Sequence, residues 1–180
     1  RDAAIAEVAD TLASFGYARI VEPLGDSPPA FNVIAEQRGE TRRGEVVLVG
    51  AHLDAYHSGA DDNTSAVASM LEIARPVRGR RFARTVRLVG FDLEEYGAVG
   101  STRYIAAGSA GDVVLALILE CVGYASSEPG SQDGLPGSRL GDGGDFLLVV
   151  GNAAGRRPLV KQALMVERGH RPFPTENDGR

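Results

Sequence analysis

Apolar residues fall first at helical spacing and then in short unbroken runs, and the alternation of the two patterns sets the expected fold. Ile5, Val8, Ala9, Leu12 and Phe15 recur every three to four residues, which predicts an amphipathic helix over residues 3–15 that Gly16 can cap. Residues 17–21 and 31–36 read as strands, parted by a loop that carries Pro23, Gly25, Pro28 and Pro29. The run at 45–51 (EVVLVGA) is nearly continuous and rich in Val, as in a parallel strand covered on both faces. Val67, Met70, Leu71 and Ala74 predict a helix that ends near Pro76. A strand at 85–91, a helix at 101–107 and another buried strand at 113–119 follow. Residues 123–144 are rich in Gly, Ser and Pro and read as a long surface loop, with a further strand at 146–150 and a further helix at 158–166. The order is βαβαβ, which predicts an α/β three-layer sandwich with a mostly parallel central sheet between helices.

Composition narrows the function. At 180 residues, with 43% hydrophobic and 24% charged residues, the chain suits one globular domain over 1–180 rather than a disordered segment. The net charge of -5 and the scatter of the basic residues, clustered only at Arg42-Arg43 and Arg78, Arg80, Arg81, disfavour nucleic acid as a partner. Cys121 is the single cysteine, so neither an internal disulfide nor a thiolate metal cluster can form within the chain. The sequence has no apolar run of about 18 residues to span a membrane, and this segment carries no signal peptide. It opens at Arg1 without Met and reads as an excised piece.

The polar residues are the informative ones, because they follow the ends of three predicted strands, where open α/β sheets bind ligands. The first runs into His52-Leu53-Asp54, with Gly59-Ala60-Asp61-Asp62-Asn63 at the mouth of the next helix. The second runs into Asp92-Leu93-Glu94-Glu95, and the third ends at Glu120. Singly, each has an ordinary explanation: Asp61, Asp62 and Asn63 can cap a helix, and Glu94 and Glu95 can sit at its positive end. Glu120 closes an apolar run and so needs a partner. Together these groups would repel one another without a cation, and His with carboxylates suits catalytic Zn²⁺. Two ions sharing one carboxylate would clamp water and carbonyl together. The doublet Glu94-Glu95 then divides into a metal ligand and a proton acceptor.

At these residues the chain resembles the co-catalytic zinc exopeptidase family of bacterial aminopeptidases, glutamate carboxypeptidases and glutaminyl cyclases. The likeness is carried by GAHLDA, GADDNTSAVA, FDLEEYGAVGS and ECVGY, and more weakly by EPGSQ and the stretch from GDFL to VVGN. The resemblance implies His52, Asp61, Glu95 and Glu120 as metal ligands, with Asp61 bridging two zinc ions and the Asp61–Asp62 peptide bond cis. It implies Glu94 as general base and Asp54 as the residue that fixes the His52 tautomer. The family's last histidine ligand has no match here, since His170 lies too close behind Asn152 and lacks a preceding Ser-Asp, and His57 reads as a loop residue. The expectation is therefore a fragment lacking a C-terminal strand, helix and ligand, with an exposed apolar edge and with one zinc or none where an intact site holds two. The resemblance further implies a peptide substrate cut at its N-terminal bond and a place outside the cytoplasm. It leaves open a cyclase, a carboxypeptidase-type enzyme or a non-catalytic binding module, along with the oligomeric state.

Overall fold

The structure is a computed structural model, and it describes residues 1–131, 143–144, 146–148 and 163–165. The chain divides into two compact units, Arg1–Gly123 and Tyr124–Arg180.

The first unit carries a five-stranded sheet in the order β1-β2-β4-β3-β5. Its strands are β1 (Ile20–Asp26), β2 (Pro29–Gln37), β3 (Arg42–His52), β4 (Arg84–Phe91) and β5 (Val113–Ile118). β4, β3 and β5 run parallel, while β1 and β2 are antiparallel to their neighbours. The alternation of side chains sorts the core into two layers. Val33, Ala35, Val49 and Leu88 face α1 (Asp2–Ser14) and α2 (Thr64–Val77), through Leu12, Met70 and Ala74 among others. Val46, Leu48, Val89 and Phe91 face the other way, onto Tyr104 of α3 (Val99–Ala106). This is the α/β/α sandwich that the apolar spacing predicts.

Three expectations change. The loop with four turn-forming residues shrinks to a tight connection, because β1 runs on through Pro23 and Gly25 to Asp26. An outer strand tolerates Pro, whose missing N–H costs no ladder bond on the open side. Arg103 holds this hairpin to α3, donating to the carbonyls of Leu24 at 2.7 Å, Ser27 at 2.8 Å and Pro28 at 2.6 Å. The strand expected to be buried at 113–119 is instead open: Val114, Leu115, Leu117 and Ile118 are all exposed, so side chains on both of its faces meet solvent. Its apolar pattern records a strand suited to being covered, and no described element covers it.

In the second unit, β6 (Phe146–Leu148) pairs antiparallel with β7 (Ala163–Met165). Residues 163–165 are thus strand and not the helix expected over 158–166; the other residues of that prediction, like His170 and residues 149–150 of the predicted strand, lie outside the described residues. Of the long loop, residues 123–131 and 143–144 are described, and Ser131 Oγ accepts the Gly144 N–H at 2.9 Å beside a Ser126–Gly144 bridge. Among the described residues no helix is long and apolar enough to cross a membrane.

Candidate metal centre

Sheet register places the site. His52 ends β3 level with Phe91 of β4, and Gly50 pairs with Ile118 of β5. Two residues further on each chain, parallel pairing brings Glu120 beside His52, and Leu119 N–H still donates to the Gly50 carbonyl at 2.8 Å. The mouth of α2 completes the arrangement. Nε2 of His52 lies 3.1 Å from Asp62 Oδ1 and 3.1 Å from Glu120 Oε1. One ligand atom from each of these three residues falls within 4.8 Å of the others, close enough to surround a single ion.

The histidine is buried, and its other nitrogen selects the tautomer of the neutral ring. Nδ1 lies 3.0 Å from the main-chain oxygen of Asp54. A carbonyl only accepts, so Nδ1 carries the hydrogen and a neutral ring turns its Nε2 lone pair toward two carboxylate oxygens. Lone pair against anions is repulsive unless a proton or a cation sits between them. Burial would depress the imidazole, but Glu120, Asp54 and Glu94 outweigh it and hold its pKa above the usual histidine value. A single proton satisfies one of the two oxygens, whereas a divalent cation satisfies both, so the donor set fits a metal such as Zn²⁺.

Asp62 takes the place expected for Asp61. The Asp61 carboxylate turns to the protein instead: its Oδ1 accepts the Gly123 N–H at 2.7 Å and lies 2.9 Å from Ser65 Oγ. Gly123 permits this approach, since a Cβ there would meet Ser65 Cβ at 2.5 Å. The cis peptide bond likewise falls one residue later than expected, at Asp62–Asn63, with a second at Ser27–Pro28.

Asn63 is a site residue that the sequence reading undervalued. Its side chain makes no helix cap. Buried, it donates from Nδ2 to the Leu119 carbonyl at 3.2 Å and to Glu120 Oε2 at 3.4 Å, and its Oδ1 accepts the Cys121 N–H at 3.1 Å. It therefore positions Glu120, which is half exposed rather than enclosed by its apolar run.

Asp54 also does more than expected. Its carboxylate lies 3.6 Å from Nδ1 of His52, beyond hydrogen-bond range, and it is the main-chain oxygen that orients the ring. The two carboxylate oxygens instead accept the N–H groups of Glu94 at 2.9 Å and Glu95 at 3.1 Å. This fixes the turn after β4 against the end of β3. Within that turn Glu94 is exposed by surface area yet crowded by protein, and its pKa is raised. Burial is the largest cause; His52 pulls the other way, while Glu120, Glu95 and Asp54 add to the rise. Glu95, half buried, stays outside the cluster of three. His57 is an exposed loop residue. A cavity of about 350 Å³ opens beside the site, with Phe91, Tyr104 and Ile118 on its apolar side and His52, Glu94 and Glu120 also in its lining.

Residues 32–173 match Peptidase family M28. The chain is 36% identical over 127 residues to the protein YfbL of Escherichia coli (strain K12), covering 60% of this chain and 39% of that one. It is 38% identical over 91 residues to an aminopeptidase of Pseudomonas aeruginosa, covering 48% of this chain and 16% of the other. Among solved structures, Porphyromonas gingivalis glutaminyl cyclase superposes with a TM-score of 0.56 at 26% identity, over 69% of this chain and 51% of the cyclase. The chain thus spans well under two thirds of the length of these curated relatives.

Proposed function

Because this chain belongs to peptidase family M28, we propose that it carries the catalytic centre of a zinc-dependent aminopeptidase that hydrolyses the N-terminal bond of peptides. The observation that carries this reading is His52 Nε2 facing Asp62 and Glu120 oxygens, both at 3.1 Å. These three residues would hold one ion. Glu95, fixed beside them through its N–H on Asp54, is the further carboxylate that a second ion would use. Zinc bound there supplies Lewis acidity toward the scissile carbonyl and toward water. The chain's own residues supply the rest. Glu94, with its proton affinity raised, takes the proton of the attacking water and passes it to the leaving amine. Asp54 keeps Glu94 and Glu95 in register with His52, and the cavity beside Glu94 accepts apolar substrate.

The test is zinc stoichiometry by elemental analysis together with hydrolysis of aminoacyl anilides. Glu94→Gln is expected to keep its zinc and lose about 10²–10⁴-fold in turnover. Near-normal turnover in that variant rejects Glu94 as the base. The likeness to the P. gingivalis enzyme supports a second reading, cyclisation of N-terminal glutamine. Release of ammonia from glutaminyl peptides, with the anilides left intact, would select it.

A further inference from the structure

Two large aromatic side chains stand exposed beside this centre and have no part in the proposed chemistry. Tyr56 is 58% exposed and Tyr96 63% exposed, yet their ring centroids lie 5.3 Å apart at a tilt of 48°. Their meeting follows from the site. Tyr56 lies two residues after Asp54, Tyr96 lies one residue after Glu95, and the Asp54 carboxylate bonds the N–H groups of Glu94 and Glu95. The turn that presents Tyr96 is closed at its base by Gly97 N–H and Ala98 N–H on the Glu94 carbonyl, at 2.9 Å and 2.7 Å, and by Val99 N–H on Leu93 at 2.9 Å. Left-handed backbone at Leu93 and Ala98 frames it. Tyr96 is thus carried by an anchored turn and Tyr56 follows closely on the anchored Asp54, so the freedom lost when a ligand meets the pair is reduced. The pair buries only part of each ring and leaves apolar area in water next to the reacting groups.

We infer that Tyr56 and Tyr96 form an aromatic rim that grips an aromatic side chain of the peptide on the leaving-amine side of the cleaved bond. The inference rests on the proposed peptidase reading, because Glu94, which hands its proton to that amine, sits two residues before Tyr96. Tyr56 and Tyr96 are specificity-determining residues in this scheme. An aromatic contact on such a pair favours binding by about fivefold.

The experiment measures dissociation constants of the dipeptides Ala-Phe and Ala-Ala by calorimetry, with zinc present, in a Glu94→Gln background that does not consume them. The expected result is about a fivefold preference for Ala-Phe, lost in Tyr56→Ala and in Tyr96→Ala and kept in Tyr96→Phe. A loosened turn would weaken both dipeptides together and leave their ratio unchanged. No preference in the background protein, no measurable binding of either dipeptide, or a preference that survives both alanine substitutions overturns the rim. Zinc titration of the unsubstituted chain is a separate arm: failure there overturns the metallopeptidase reading, whatever the ratio of the two dipeptides.

Discussion

Replacing Asp54 tests whether one carboxylate holds the base-bearing turn to the end of β3. Asp54 is 6% exposed, and its two oxygens accept the Glu94 and Glu95 N–H groups at 2.9 and 3.1 Å. Hydrogen bonds to a charged acceptor contribute about 1.5–3 kcal/mol each, so Asp54→Ala removes at most about 3–6 kcal/mol. Two effects lower that ceiling. Water can enter the space left by the side chain, and the repulsion that Asp54 exerts on Asp92 and Glu94 disappears. A loss of about 3 kcal/mol remains, a large share of the 5–15 kcal/mol that holds a typical domain together. Asp54→Asn keeps one acceptor and turns an NH₂ toward a backbone N–H, so it should fall between the alanine variant and the unsubstituted chain. In urea, 3 kcal/mol moves the midpoint down by about 1–3 M. Hydrogen exchange at the amides of Glu94 and Glu95 should accelerate by about 100-fold, since 1.4 kcal/mol is a factor of ten. An alanine variant with an unchanged midpoint and unchanged protection at those two amides would refute the reasoning.

Asp62→Ala should weaken zinc binding by on the order of 100-fold or more, whereas Asp61→Ala should weaken it by less than tenfold, because Asp62 Oδ1 faces His52 Nε2 while Asp61 Oδ1 accepts the Gly123 N–H; zinc titration calorimetry on both variants compares them, and the reverse order would restore Asp61 as the ligand. Gly100→Ala should destabilise by about 1–3 kcal/mol, seen as a lower Tm. A Cβ there would lie 2.4 Å from the Asp92 carbonyl oxygen, while Gly44→Ala, with no heavy atom within 4 Å of the added Cβ, serves as the tolerated control. Tyr17 donates its hydroxyl to the Ala74 carbonyl at 2.8 Å, and burial raises its pKa against the opposing pull of Arg78. The folded state therefore keeps this proton longer than the unfolded chain does; the stabilisation is whole below pH of about 10 and is lost as pH rises through the folded value. Denaturation between pH of about 9 and 11 should show a shallower decline for Tyr17→Phe than for the unsubstituted chain, and identical slopes would contradict this.

Periodicity located the elements well where burial enforces a period, and poorly where it does not. The Val-rich run of β3 and the Val67, Met70, Ala74 stripe of α2 lie where their spacing puts them, because one wrong residue would turn an apolar face to water. His52 and Glu120 were equally legible, since each ends or follows a strand whose register is fixed by that same constraint. Asp61 and Asp62 were not separable. They are neighbours of one chemical type in a loop without a repeat, and only the path of the backbone decides which one meets His52. Asn63 could equally be a helix cap by its residue type, since short polar residues often cap, and its partners just beyond β5 lie more than fifty residues away in sequence. An open apolar edge is an expectation of the sequence, but that β5 is the open strand is not legible in it: residue types within a strand report its taste for cover and carry no record of whether a neighbour supplies it.

Asn63 also explains why a loop so rich in acids stops being acidic where it does. Its primary amide gives to an oxygen on one side and takes from an N–H on the other, with Leu119 and Glu120 as receivers and Cys121 as giver. An aspartate of nearly the same shape could still take from Cys121 but would push against both oxygens. A leucine would satisfy neither side. The third letter of Asp-Asp-Asn is thus dictated by two-way bonding rather than by charge, and it is the point where a helix start and a strand end become a single piece of scaffolding.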